Sequence, residues 1–264
     1  AEGEWLPLPN PVLGSYRTST TGRVFSHSAG INRNGYAICL ECGRAEPMPW
    51  AEDPDAPEST RHLPKPFRVP HRRLRGAEGG ATSECKGSFN SFAIKPSLHL
   101  GVEVVTDVLE LQLNGLDGCP MRDQATGYST AVALRAAIAS SLGVEIDEIG
   151  VDTKPIRHPM GGTGYAIVLY DHAGAGYCSS VADRLPDLLG LARKHLNCPA
   201  DCRNACQHCL LTYDTRFRLD DLDRFAALRL LSSEWMNGLK LRTEDAIFGE
   251  GNSFAEWQSL PEAI

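Results

Sequence analysis

The sequence predicts an α+β fold: a mixed sheet with packed helices, a zinc-knuckle hairpin on the N-terminal side and a four-cysteine zinc loop near the C-terminal side. Three observations carry this. Residues 99–114, "HLGVEVVTDVLELQLN", have the length and β-branched composition of a strand. Residues 128–143, "YSTAVALRAAIASSLG", place Leu134, Ile138 and Leu142 four apart and end on Gly143, as an α-helix does. Cysteines gather in two places, at Cys39–Cys42 and at Cys198, Cys202, Cys206 and Cys209.

The elements follow in order. Residues 1–22 are rich in Pro, Gly, Ser and Thr without periodicity and read as an irregular arm. Residues 23–88 read as a hairpin and zinc-knuckle subdomain: Arg23–Ser26 and Tyr36–Cys39 have strand composition, and "NRNG" between them supplies residues that tolerate positive φ. An acidic, proline-rich loop covers 45–60, and 61–75 inverts the charge. An α/β core spans 89–236. In its strand Val102, Val104, Thr106 and Val108 alternate with Glu103, Val105, Asp107 and Leu109; both faces carry apolar residues, as in a strand buried on both sides. "VEIDEIGVDTKPI" and "YAIVLYD" are strands. "SSVADRLPDLLGLARKHL" is a helix with Val181, Leu185, Leu188, Ala192 and Leu196 on one side, kinked or restarted by Pro186. "LDDLDRFAALRLLSSEWM" is the last helix, its positive N-terminal end favoured by Asp220, Asp221 and Asp223. Residues 237–264 lose periodicity and read as a tail or linker, and the chain holds no internal repeat.

Composition sets the limits. The 264 residues suffice for one large domain or two small ones, and 42% hydrophobic with 22% charged residues is ordinary for a globular protein. No apolar run approaches the roughly 20 residues of a spanning helix, and no signal peptide is marked at the start, so no membrane role and a cytoplasmic location are expected. A net charge of −7 excludes a generally basic nucleic-acid coat but not a local basic patch. Nine cysteines, partly clustered at CxxC-type spacing, point to metal in a reduced compartment.

The C-x3-C-x3-C-x2-C loop puts four thiols within twelve residues. Tetrahedral zinc takes four such ligands, and a site filled by protein ligands is structural, with no open position for chemistry. Closing so local a site loses little loop entropy. Arg193, Lys194 and Arg203 would offset the charge of a four-thiolate centre. Free cysteines, two disulfides or an iron–sulfur cluster would use the same residues. "CLECGR" supplies Cys39 and Cys42 with Gly43 behind them; His71 and Cys85 are the nearest further ligands, with His62 competing with His71. A redox CxxC is the alternative. The expected cofactor is zinc, two ions in all.

Between these ligands Arg61, Lys65, Arg68, Arg72, Arg73 and Arg75 put six of the 26 Lys and Arg within fifteen residues, stiffened by Pro64, Pro66 and Pro70. Such a strip suits a DNA backbone and would read phosphate, not sequence. A solvated loop neutralised by the acidic run before it fits equally. No Walker A loop and no GxSxG occurs. "YDHAGAGYC", with Asp171, Gly174 and Gly176, could cradle a phosphate or only let strand and helix pack closely. Asp107 with Asp152 and Lys154 has the residue types of a magnesium-dependent nuclease, although a helix between their strands argues against it.

The ordered series "GYAICLECGRAEPM", His71 and Cys85, "HLGVEVVTDVLELQL", "IVLYDHAGAGY", "CPADCRNACQHCLLTYDTR" and "LDDLDRFAALRLL" resembles the MrfA-type zinc-binding (MZB) domain family over residues 23–235. That family stands at the C-terminal end of superfamily-two DNA helicases and in DrmB-like proteins of the DISARM antiphage system. The resemblance implies zinc on Cys198, Cys202, Cys206 and Cys209. It likens Cys39, Cys42, His71 and Cys85 to the knuckle of the DrmB-like branch, which the long "CLLTYDTR…LDR" ending also favours. "DHAGAG" departs from the proline and paired glycines of many relatives, against a phosphate role there. A chain without a motor would then be a non-catalytic accessory protein, or a fragment of one, acting beside a DrmA-like helicase on DNA. A DNA-repair helicase accessory domain is the alternative within the same family.

Overall fold

The computed structural model describes residues 3–73, 83–89, 92–157 and 162–240. They form two compact units, one of Ala1–Arg23 with Val105–Ile264 and one of Val24–Val104. Strands β1 (Leu6–Pro7), β2 (Gly14–Ser28), β3 (Tyr36–Cys39), β4 (Ala45–Pro47), β5 (Ile94–Leu98) and β6 (Leu100–Leu113) precede helix α1 (Gln124–Leu142). Strands β7 (Ile149–Arg157) and β8 (Thr163–Asp171) follow, then helices α2 (Tyr177–Ser180), α3 (Leu185–Leu196), α4 (Arg224–Leu230) and α5 (Ser233–Leu239). One sheet has the order β1-β2-β6-β8-β7 and the other β4-β3-β5. The pairings described are antiparallel, so the α+β class holds while the expected mixed sheet is corrected to antiparallel ones. Among the described residues no helix is long and apolar enough to cross a membrane.

The larger unit is built on β6. From Thr106 to Leu111 every residue is buried, so the strand is covered on both sides there, whereas residues 100–105 are exposed. Leu109 and Leu111 share one face with Ile167 and Leu169 of β8 and Ile149 and Val151 of β7, and all enter the main core. Helix α1 lies on β7 and β8. Twelve of its residues are buried, on nearly its whole circumference, because α3 and α4 pack on it as well. Asp123 caps its start by accepting from the Thr126 N–H at 2.9 Å, and Gly143 ends it at φ 71°, in the left-handed region where a side chain is strained. Pro186 stands in the first turn of α3 and restarts the helix after the break at 182–184, as its missing N–H allows.

Three expectations are revised. The segment 1–22 is not an irregular arm: β1 and most of β2 lie in it, and "GSYRTSTTGRVFSHS" is one fifteen-residue strand. Its Ser, Thr and Gly hide a strand that is largely half-buried or exposed on both faces, so no alternation appears. The "NRNG" turn forms, with Arg33 at φ 58° and Gly35 at φ 82°, but it joins no hairpin. Tyr36–Cys39 pairs instead with β4, in the register Ala37↔Glu46, and with β5. The last helix is two short ones: Asp223 caps α4 through the Phe225 and Ala226 amides, Ser232 caps α5, and Asp221 instead bonds Arg218. Most of the predicted tail at 237–264 lies outside the described residues.

Candidate metal centres

The β3–β4 hairpin carries the first centre at its tip. Cys39 closes β3; its N–H donates to the Arg44 carbonyl at 2.9 Å, and the Gly43 N–H donates to the Cys39 carbonyl at 2.8 Å, with Gly43 at φ 71°. This knuckle turns Cys42 back toward Cys39. The chain then returns through residues 67–71 and 83–89 to deliver His71 and Cys85. The four ligand atoms lie within 4.8 Å of one another, with Cys39 Sγ to Cys85 Sγ at 3.7 Å and Cys42 Sγ to His71 Nε2 at 3.6 Å. Metal–ligand bonds of 2.3 Å to sulfur and about 2.0 Å to nitrogen make tetrahedral edges of roughly 3.5–3.8 Å, so the spacing fits zinc. His62, the competing ligand, instead lines a cavity with Met48 and Trp50.

Several contacts hold this set. The Ser88 hydroxyl stands 3.0 Å from His71 Nδ1, leaving Nε2 to face the sulfurs, and also accepts the His71 amide at 2.9 Å. The Phe67 ring meets the His71 ring edge-on at 4.9 Å. A Cβ on Gly87 would come 2.6 Å from Cys39 Sγ, so only glycine lets the backbone pass beside the ligands. Burial, with Arg44 nearby, lowers the His71 pKa and keeps the ring neutral, as a ligand must be. Burial raises the Cys39 thiol to about 11 when no cation balances the cluster. The Ser88→Ala variant is expected to weaken zinc affinity about 10–100-fold with little loss of fold, read by competition with a chelating dye. Unchanged affinity would show that Ser88 does not orient the ring.

The second centre begins where α3 ends. Asn197 closes the helix and Cys198 follows, its carbonyl accepting the Asp201 amide at 3.0 Å. The Cys206–Cys209 turn closes through Cys209 N–H to the Cys206 carbonyl at 3.0 Å, and Leu211 donates to the same carbonyl. The sulfurs of Cys198 and Cys206 are 3.4 Å apart, those of Cys202 and Cys209 3.6 Å, and those of Cys206 and Cys209 3.9 Å. These again match the roughly 3.8 Å edge of a four-sulfur zinc tetrahedron. They do not match the bonded distance of about 2.0 Å of a disulfide, and all nine cysteines are unbridged. At Cys198 burial opposes ionisation, but the amides of Cys202 and Ala200 and the neighbouring sulfurs outweigh it and bring the thiol down to about 6. Burial and the other three sulfurs push Cys202 up to about 12. Four thiols this close cannot all ionise without a cation among them.

Sequence reasoning missed the residue that holds this loop. Arg224, buried in α4, donates to the Cys202 carbonyl at 2.7 Å and to Asp201 Oδ1 at 2.8 Å, and reaches the Leu196 carbonyl at 3.5 Å. It ties the end of α3 and the Asp201–Cys202 stretch of the loop to α4. The sequence alone assigns the charged surroundings of the loop to Arg193, Lys194 and Arg203. Arg193 instead donates to the Leu231 carbonyl and Ser233. Arg224→Leu is expected to lower zinc affinity at this loop by about 10–100-fold while leaving the first centre loaded. Metal content after dialysis against a weak chelator measures this; two retained ions would refute the clamp.

The basic strip is only partly open. Arg61 Nε bonds Glu52 at 2.7 Å and Arg68 bonds Asp53, whose pKa it lowers. Two of the six cations are thus held by the preceding acidic run. Lys65 and Arg72 are exposed and form no ion pair among the described residues, Arg73 is half-buried with its amide bonded to the Ser83 carbonyl, and Arg75 lies outside the described residues. The Asp171 carboxylate accepts the Tyr177 and Cys178 amides at 2.8 and 3.0 Å, so it fills the site a phosphate would take at the start of α2. The nuclease residues do not converge. Asp152 and Glu110 flank Val168 in one cross-strand row; Asp107 is three residues from Glu110 and so faces the other side of the sheet, roughly 14 Å from Asp152. Asp107 accepts from Ser179, Asp152 bonds Arg218, and Lys154 reaches Glu110.

Two saturated Cys/His tetrads on an antiparallel α+β frame define a zinc-scaffolded protein. Residues 130–210, from α1 through all four cysteines of the second centre, match the family model described as the MrfA Zn-binding domain (MZB). The crystal structure of the DUF1998 helicase MrfA bound to DNA is similar at a TM-score of 0.44 and 16% identity, over 89% of this chain and 24% of that one. This chain therefore spans about a quarter of that helicase's length. No curated protein matches the chain.

Proposed function

We propose that this chain is a zinc-scaffolded, non-catalytic accessory part of a superfamily-two helicase-based system that targets DNA. The observation that carries this reading is coordinative: each tetrad already supplies four protein ligands, which leaves zinc no open position for water or substrate. Zinc then fixes loops in place and activates nothing. The match of 130–210 to the MrfA Zn-binding domain supports a helicase setting. The finer assignment, drawn from the sequence motifs, is to the DrmB-like branch of the DISARM antiphage system, docked on a DrmA-like helicase in the cytoplasm.

DNA contact through the strip rests on Lys65 and Arg72, which are exposed and without an ion pair among the described residues. The double charge reversal Lys65→Glu/Arg72→Glu is expected to weaken duplex binding. It should also flatten the plot of log affinity against log salt by about 0.9 for each lost phosphate contact, nearly two in all. An unchanged slope would remove the strip from the interface. Incubation of the zinc-loaded protein with DNA and magnesium tests the competing nuclease reading, for which cleavage abolished by Asp107→Ala would be required.

A further inference from the structure

Directly after the second zinc loop the chain shows two large aromatic rings to solvent. Tyr213 is 71% and Phe217 72% exposed. The rings stand edge to face at 6.2 Å, and the Arg216 guanidinium lies over both, 3.8 Å from the Tyr213 centroid and 4.6 Å from that of Phe217. The segment beneath them is fixed. Thr215 is fully buried; its hydroxyl donates to the Leu210 carbonyl at 2.9 Å and accepts the Thr212 amide at 2.8 Å. Asp214 grips the buried Arg135, and Arg218 lies over the Tyr128 ring at 3.8 Å. A rigid mount that holds apolar rings in water does nothing for the core.

We infer that Tyr213, Arg216 and Phe217 form a stacking platform for single-stranded nucleic acid, with bases against the rings and a phosphate at Arg216. Every base has a π-face, so rings with a neighbouring arginine bind a single strand with little regard to sequence. The charges permit it. Asp214 is paired with Arg135, and Asp152 and Asp221 with Arg218, so among the segment's carboxylates only Asp220 lacks an ion pair within the described residues. A protein partner or a second copy fits less well, because two rings and one guanidinium fall far short of the roughly 800 Å² per partner of a stable interface. The inference is separate from the Lys65–Arg72 strip, which would read phosphates of either strand form.

The test uses the whole zinc-loaded chain and fluorescence anisotropy with labelled oligothymidylate, an abasic strand of the same length and charge, and a duplex. The thymidylate strand should bind about tenfold or more tighter than the abasic strand. Tyr213→Ala/Phe217→Ala should remove that preference while zinc content and melting temperature stay unchanged, and Phe217→Trp should preserve it. Lys65→Glu/Arg72→Glu should weaken all three probes alike. Equal binding of thymidylate and abasic strands by the unaltered protein overturns the platform, as does no binding of either. So does a concentration-dependent dimer that the double alanine variant dissolves, which would give the rings to a second copy.

Discussion

Stripping zinc from the second centre is expected to unfold the larger unit rather than merely loosen a loop. Cys198 and Cys209 are 8% and 5% exposed and belong to the main core together with Leu196, Leu210 and Leu222. Without a cation, four thiols share that site and cannot all ionise. Structural zinc contributes about 10–16 kcal/mol in small peptides, as much as or more than the roughly 5–15 kcal/mol by which a whole domain is stable. A strong chelator should therefore abolish cooperative melting followed by near-ultraviolet circular dichroism. Cys209→Ala should leave about one zinc per chain, held on Cys39, Cys42, His71 and Cys85. A metal-free protein that still melts cooperatively would remove zinc from the folding of this unit.

Asp214→Ala should damage the larger unit although it touches no zinc ligand. Arg135 is 1% exposed in the middle of α1, and its charge is met by both carboxylate oxygens of Asp214, at 2.6 and 3.2 Å. Thr212 and the Ile149 carbonyl add bonds but no charge, and Arg135 Nε has no hydrogen-bond partner among the described residues. Removing the carboxylate leaves a buried cation uncompensated. Asp214 itself is 48% exposed, so water replaces part of it, and the cost is about 2–3 kcal/mol, a fall in melting temperature of roughly 5–10 °C. The pair also predicts an acid limit. Partial burial would raise the Asp214 pKa, but bonds from Arg135 and Thr212 outweigh it and bring it from 3.8 to about 2. A depressed carboxylate contributes fully above its unfolded value and is lost as pH falls toward 2. Asp214→Ala should therefore flatten the stability profile between about pH 4 and pH 2. A variant that melts with the wild type would show that water, not Asp214, satisfies Arg135.

Where local pattern and local structure coincide, the sequence reads well. The β6 run, the α1 repeat with its terminal Gly143, the Pro186 restart and the C-x3-C-x3-C-x2-C loop each depend on neighbours within a few residues, and each is where its pattern places it. The pairing of Tyr36–Cys39 was not legible: Ala37 finds Glu46 across the short Cys39–Gly43 knuckle, which carries no Asn-Gly hairpin signal, and Cys39 finds Ile94, a partner set by the packing of a distant segment. Nor was the strand within 1–22, whose half-exposed Ser and Thr leave no alternation to read. The supports of the metal centres were equally hidden. Ser88, Gly87 and Arg224 look like ordinary loop and helix residues until the fold brings them to His71, Cys39 and Cys202.

By itself the sequence determined the ligand types, the two places where thiols gather and hence the kind of ion they suit, since coordination chemistry is written in residue identity and short spacing. Only the tertiary structure decided that His71 and not His62 completes the first centre, and that Asp107 and Asp152 face opposite sides of one sheet. It also decided that Arg61 and Arg68 are bound to acids and that Tyr213 and Phe217 stand in solvent. Those outcomes depend on which side of a strand or loop a side chain occupies once distant segments have packed, and no local spacing records that.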